Sequence, residues 1–161
     1  MKKIYITICL ILISTFIVSA QTEVLHEMLG NIMYVIHCGA HEERVQLKDG
    51  KYEEKGYIYI YYRDKYVYGD FNSDGQQDIA ALYSESGGGS GTFYRLVFLI
   101  NENGQFFHED TRYLGDRVVI YSLKEDQGKV IIDMLTHAEG DSSAGPTKRA
   151  QYVYKYYGPE I

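Results

Sequence analysis

The sequence predicts a single, mostly β domain, an antiparallel β meander, sandwich or barrel with one short N-terminal helix. Hydrophobic residues mostly alternate with polar ones, and turn signals recur at a spacing of roughly ten residues. The chain has 17 tyrosines and no tryptophan, which suits half-buried strands whose tyrosine rings pack while their hydroxyls reach water. No internal repeat or interdomain linker is visible. We therefore expect one β domain over residues 21–161, a length sufficient for one core.

The first 20 residues have the pattern of a secretory signal peptide. Lys2 and Lys3 precede an uncharged apolar run that ends at Val18-Ser19-Ala20, and small residues occupy the −3 and −1 positions. An uncleaved anchor is the alternative, but the run is shorter than the roughly 20 residues of a membrane-spanning helix. We expect cleavage after Ala20, a secreted or periplasmic bacterial protein, and no membrane span in the mature chain.

Charge and cysteine content exclude several classes of partner and of stabilisation. Removing two lysines with the signal peptide takes the formal net charge from −6 to −8. An acidic surface argues against nucleic acid and against anionic membranes. Cys38 is the one cysteine left, so that no internal disulfide is expected and the fold depends on its core and on any metal it binds.

One helix is predicted directly after the cleavage point. Thr22 can cap its N-terminus, and Gly30 can end it in a left-handed conformation. Between them, apolar residues at spacings of one and four form a single stripe.

From Asn31 onward the hydrophobic period is two. Asp49-Gly50 and Asn103-Gly104 are hairpin turns, Arg63-Asp64-Lys65 is expected to turn the chain back, and the glycines of 87–91 form a hairpin loop. The predicted strands are residues 32–37, 44–48, 57–62, 66–68, 79–83, 92–100, 105–108, 118–123, 129–135 and 151–156. The run 79–83 is apolar without alternation, which indicates a central strand buried on both faces. Residues 137–147 are small and polar, and a loop is expected there.

A calcium loop is predicted between the strands 66–68 and 79–83. The proposed ligands are the side chains of Asp70, Asn72, Asp74 and Asp78 and the backbone carbonyl of Gln76. Alternating oxygen ligands, with a glycine where the chain turns sharply, suit a hard cation such as Ca²⁺. Three carboxylates in one turn repel each other, and a divalent ion relieves that repulsion. A metal-free, Asx-rich turn is the alternative.

The loop resembles a known calcium motif. An EF-hand is excluded, because its twelfth position requires a bidentate glutamate and Ala81 stands there. Residues 69–82 resemble instead the calcium loop of FG-GAP-type repeats of integrin-like propellers. The resemblance implies one structural ion between two strands. The loop occurs in a single copy, and Tyr83-Ser84-Glu85 stands where that family has Gly-Ala-Pro, so the propeller architecture is not implied.

A looser likeness covers most of the mature chain. The order of residues 47–52, the acidic loop, residues 88–94 and residues 114–118 resembles a family of small, uncharacterised secreted bacterial proteins. That resemblance implies no activity.

Two further clusters carry reactive side chains. His37, Cys38 and His41 could hold zinc or copper or act as nucleophile and base, although in an extended segment Cys38 points away from both histidines. The second cluster is His137 with Asp133, Asp141 and Ser142. No nucleophile motif or pair of spaced carboxylates supports catalysis there.

The sequence therefore favours an exported, non-enzymatic β domain with one structural calcium ion. It would act as a binding or envelope-associated module, and its ligand would be a protein or a glycan held on the face of Tyr57, Tyr59 and Tyr61. A periplasmic inhibitor of a hydrolase is one alternative. A small secreted hydrolase, which would use His37 and Cys38 or the loop after Leu135, is the other.

Overall fold

The computed structural model describes residues 22–38, 41–54 and 56–158, and the predicted signal peptide lies outside them. Within these residues one helix, α1 (residues 22–29), precedes ten strands. The strands are β1 (Met33–Cys38), β2 (His41–Gln46), β3 (Lys51–Glu54), β4 (Ile58–Gly69), β5 (Asp78–Ser86), β6 (Phe93–Glu102), β7 (Gln105–Asp116), β8 (Val119–Asp126), β9 (Lys129–Thr136) and β10 (Lys148–Lys155). The predicted mostly β fold with one short helix is confirmed. No described helix has both the length and the apolar character required to span a membrane.

The strands form three antiparallel sheets in three layers. The five-stranded sheet, in the order β3-β4-β5-β6-β7, lies in the middle. The β1-β2 hairpin and α1 cover one of its faces, and the three-stranded sheet β10-β9-β8 covers the other. Neighbouring strands in a sheet are neighbours in sequence, as expected of a meander.

A separate core fills each side of the middle sheet. The helix-side core includes Leu29, Tyr34, Ile60, Ile79, Ala81, Tyr83 and Leu99. The sheet-side core includes Phe71, Ala80, Leu82, Leu96, Phe98, Ile132 and Met134. Successive residues of β5 therefore enter opposite cores, and residues 79–83 are at most 1 % exposed. The predicted central strand, buried on both faces, is confirmed.

The predicted turn at residues 63–65 is wrong, because the chain continues there as one long strand. Tyr62 pairs with Tyr83 and Tyr66 with Ala81, so that the three residues between them face Leu82 alone. Both halves of β4 can pair with β5, and a bulge at a left-handed Asp64 (φ 51°) absorbs the extra residues. The bulge projects the side chains around it in new directions.

The other turns follow their sequence signals. Both residues of Asp49-Gly50 and of Asn103-Gly104 have positive φ, as two-residue hairpin turns require.

β7 is longer than predicted, because it continues from residue 108 to Asp116 with a register shift opposite Phe98 and Leu99. Its buried Asp110 forms an ion pair with Arg112, and this pairing lets a charged segment remain in the sheet.

Candidate functional site

The predicted calcium loop joins β4 to β5 in the middle sheet. Gly69 and Asp78 are opposite each other at the strand ends, and the residues between them leave the ladder. Ser73 (φ 65°) and Gly75 (φ 85°) both adopt left-handed conformations, which reverse the chain within a few residues. At Gly69 a Cβ atom would lie 2.8 Å from both Phe71 and Glu125 side-chain atoms. The base of the loop therefore requires glycine.

Three predicted ligands meet at the tip of this loop. The Asp74 N–H donates to Asp70 Oδ1 and to Asn72 Oδ1, each at 3.1 Å, so that both oxygens share one donor. Asp70 Oδ2 accepts the Gly75 N–H at 3.1 Å. The side chains of Asp70 and Asn72 are thus turned into the loop, where they cap backbone groups of the turn.

Asp74 is held at the exposed end of the same turn. Its Oδ2 accepts a hydrogen bond from the Asn72 amide at 2.9 Å, and its Oδ1 accepts the Gln76 N–H at 2.7 Å. These bonds hold the pKa of Asp74 below its usual value, and the bond from Asn72 has the largest effect. The carboxylate is therefore ionised at neutral pH, as a calcium ligand must be.

Asp78 behaves differently from the other three predicted side-chain ligands, because it is fully buried. Its Oδ2 accepts the Phe71 N–H at 2.8 Å and the Asn72 N–H at 3.4 Å, and its Oδ1 accepts the Asn101 N–H of β6 at 3.0 Å. One carboxylate thus ties the start of the loop, the start of β5 and the end of β6 together.

Phe71 anchors the loop to the sheet-side core. Its ring is 6 % exposed and packs edge to face with Phe98 at a centroid distance of 5.1 Å. The sequence contained the signal for this anchor, an aromatic residue inside an otherwise polar loop.

The structure brings only some of the predicted calcium ligands together. Asp70, Asn72 and Asp74 share one turn with Gln76, whereas Asp78 points at backbone N–H groups. Among the described residues no three His, Cys, Asp or Glu side chains are grouped closely enough to hold a metal ion. The donor chemistry, carboxylate and amide oxygens without nitrogen or sulfur, fits Ca²⁺, and carboxylate oxygens have lone pairs beyond those that N–H groups use.

The His37, Cys38 and His41 side chains lie outside the part of the chain that the structure describes. Their backbones are described, and Cys38 pairs with His41 across the β1-β2 hairpin. A role for these three residues stays untested.

Three of the four side chains in the second cluster, those of Asp133, His137 and Asp141, are engaged in structural contacts. Asp133 forms an ion pair with Arg149, and His137 Nε2 lies 3.0 Å from the backbone oxygen of Asp116. The Asp141 carboxylate accepts hydrogen bonds from the N–H groups of Ala138 and Thr147. These bonds lower the pKa of Asp141, and the bond from Ala138 has the largest effect. This carboxylate closes the 137–147 loop that the sequence predicted.

The tyrosine face is less exposed than its sequence suggested. Tyr57 precedes β4 and is 75 % exposed, whereas Tyr59 and Tyr61 are half-buried. The Tyr61 hydroxyl donates to Glu53 at 3.1 Å, and the Arg63 guanidinium lies 5.5 Å from the Tyr61 ring centroid. Sequence reasoning missed Arg63, because the residue was assigned to a turn.

No protein-family model, curated protein or solved structure matches this chain. The resemblance of residues 69–82 to the FG-GAP calcium loop, and of most of the mature chain to small secreted bacterial proteins, therefore stays a prediction from the sequence.

Proposed function

We propose that the protein is an exported, non-enzymatic binding domain whose 70–78 loop holds one structural calcium ion. The observation that carries the proposal is the convergence of Asp70 and Asn72 on the N–H of Asp74. Asn72 also donates to the Asp74 carboxylate at 2.9 Å, so that three of the four proposed side-chain ligands belong to one turn. Bound Ca²⁺ would neutralise the like charges of this turn and fix the connection between two strands of the middle sheet.

Thermal unfolding with and without calcium tests the site. A dissociation constant of about 10⁻⁴–10⁻³ M, typical of extracellular modules, gives about 1.4–2.7 kcal/mol of stabilisation at about 10 mM calcium. For a domain of this size that corresponds to a rise in melting temperature of about 5–9 °C. Asp74→Ala is expected to abolish the rise, whereas Glu139→Ala, which removes an exposed carboxylate outside the loop, retains it. Identical melting curves in calcium and in excess chelator would contradict the proposal.

The binding role is supported by the aromatic face at the start of β4. Tyr57 is exposed, and the two tyrosines that follow on alternate positions extend the face along the strand. A tyrosine face of this kind suits a protein or glycan ligand, because each ring offers both apolar surface and a hydroxyl. The contacts that occupy Asp133, His137 and Asp141 fit a structural loop better than a catalytic centre.

Affinity capture from envelope extract, with immobilised protein in calcium and in chelator, tests this role. Wild-type protein is expected to retain a protein or glycan that Tyr57→Ala retains less well. Equal retention by both proteins, or none by either, would contradict a ligand site on this face.

A further inference from the structure

A groove lies between β4 of the middle sheet and β8 of the three-stranded sheet. Its volume is about 280 Å³, and Val119 and Ile120 provide its accessible apolar surface, while Leu82 and Val118 line it from almost fully buried positions. It lies at the β4 bulge and beside the start of β8, which is an edge strand of the three-stranded sheet. The groove therefore combines an apolar surface with the charged side chains that the bulge contributes, Arg63 and Lys65.

The three charged side chains of the bulge lie on two different sides of β4. Arg63 and Lys65 both line the groove. Asp64, between them, is turned toward α1, where it lies 3.8 Å from His26. Two positive charges thus face one side, and the one negative charge of the bulge faces the other. The sequence Arg-Asp-Lys alone would suggest neutralisation within the segment, which this geometry prevents.

The guanidinium of Arg63 is held in a fixed position. Its Nε donates to Ser84 Oγ at 2.7 Å, and Ser84 is fully buried in β5. The ring centroids of Tyr61 and Tyr94 each lie 5.5 Å from the guanidinium carbon. Because Nε is used and two rings confine the group, the Nη nitrogens form a pre-organised pair of donors.

Those donors have no acidic partner in the described part of the chain. The bond to Ser84 is the one hydrogen bond of Arg63 among the described residues, and no described carboxylate lies within ion-pair distance of it. The other half-buried arginines of the described strands and turns each pair with a carboxylate. These pairs are Arg95 with Glu85, Arg112 with Asp110 and Arg117 with Asp116. A half-buried, unpaired arginine in an acidic protein is therefore an exception that a ligand would explain.

We propose that this groove binds a carboxylate that carries a small apolar group. The planar fork of an arginine matches a carboxylate bidentately, Lys65 adds a second positive charge, and the Tyr94 hydroxyl, which has no partner among the described residues, adds a donor. The apolar group would contact Val119 and Ile120. The volume lies just below the usual range of small-molecule sites, about 300–1,000 Å³, so that the ligand is a short acid or one acidic side chain of a peptide.

The proposal names a ligand class for the binding role proposed above and rests on that role, but it does not depend on calcium. Phenylacetate and a capped tripeptide of leucine, glutamate and leucine are suitable probes for the two sources of a carboxylate. Phenylacetamide and the glutamine tripeptide are their uncharged controls. NMR titration follows the amides of Ser84 and Ile120 and the Nε–H of Arg63. Saturable shifts at these groups with either acid, and not with its amide, are the expected result.

Three variants assign the effect to the groove. Arg63→Gln is expected to weaken binding of the acid at least tenfold. Arg44→Gln, which removes the same charge from the exposed side of β2 in another sheet, leaves binding within twofold. Lys65→Gln, at an exposed position, weakens binding several-fold and serves if Arg63→Gln does not fold. Absence of shifts at Arg63 and Ser84 in the wild-type protein, or equal affinity of the Arg63 and Arg44 variants, would overturn the proposal.

The same variants separate this proposal from the general binding role. If Arg63→Gln captures the envelope ligand as well as wild-type protein does, the groove is not its site, whereas the binding role stands. If wild-type protein captures nothing yet binds phenylacetate through Arg63, the groove is real and the capture role fails.

Discussion

Replacing Asp78 with alanine tests whether the 70–77 loop is closed by the protein itself, before any ion binds. The carboxylate accepts the Phe71 N–H at 2.8 Å, the Asn101 N–H at 3.0 Å and, more weakly, the Asn72 N–H at 3.4 Å. A hydrogen bond to a charged acceptor contributes about 1.5–3 kcal/mol, and a buried donor left without an acceptor costs about 1–3 kcal/mol. Phe71 is buried, while Asn72 and Asn101 are partly exposed, so that water can replace some of the loss. We expect Asp78→Ala to lower the free energy of unfolding by about 3 kcal/mol.

Urea denaturation in excess chelator measures this loss without a contribution from calcium. Asp74→Ala is the matched control, because it removes a carboxylate from the same loop at an exposed position. In chelator it is expected to cost less than Asp78→Ala, and in calcium it also loses the stabilisation by the ion. A loss below about 1 kcal/mol for Asp78→Ala in chelator would refute the reasoning, since it would mean that the three hydrogen bonds are not needed to close the loop.

Two further predictions concern hydrogen bonds that fix other parts of the fold. Tyr83→Phe removes a buried hydroxyl that donates to the Leu29 carbonyl at the end of α1, and we expect a loss of about 1–2 kcal/mol in unfolding free energy, against no measurable loss for exposed Tyr57→Phe. Equal stability of the two variants would contradict a structural role for the Tyr83 hydroxyl. For Asp141, the hydrogen bond from Ala138 lowers the pKa, so its stabilising effect is present above the unfolded carboxyl pKa and is lost as pH falls through the lower folded value. Wild type should therefore exceed Asp141→Asn in stability at neutral pH, and this advantage should shrink as pH falls below the unfolded carboxyl pKa of about 3.9. An advantage of the same size at neutral pH and at the lowest pH at which both proteins stay folded would contradict this.

The sequence contained most of the strand pattern, because two-residue periodicity and turn dipeptides are local signals. Asp49-Gly50 and Asn103-Gly104 form the predicted turns, and the apolar run 79–83 is the predicted central strand. The error at residues 63–65 has a clear cause. The polar segment Arg-Asp-Lys can form a turn or a bulge, and the choice between them depends on β5, which pairs with both halves of β4.

Part of the candidate site could not be predicted for the same reason. The positions of Asp70, Asn72 and Asp74 in one turn follow from their spacing, which is local. The bond from Asn101 to Asp78 joins residues 23 positions apart, and it depends on the pairing of β5 with β6. Likewise, no local pattern places Ser84 beside Arg63, since their contact exists only when β4 and β5 pair in the observed register.

Both proposed sites depend on β5, which begins at Asp78 and carries Ser84 near its other end. Buried polar side chains in such a strand are costly unless they are paired, and these two are paired with groups outside β5, the loop in one case and Arg63 in the other. They share the sheet-side face, since an even number of positions separates them. The residues between them are almost fully buried in two cores, so β5 offers no second arrangement through which one site could act on the other. Energetic coupling requires such a two-state element. We therefore expect calcium to raise stability without changing the affinity of the groove for a carboxylate.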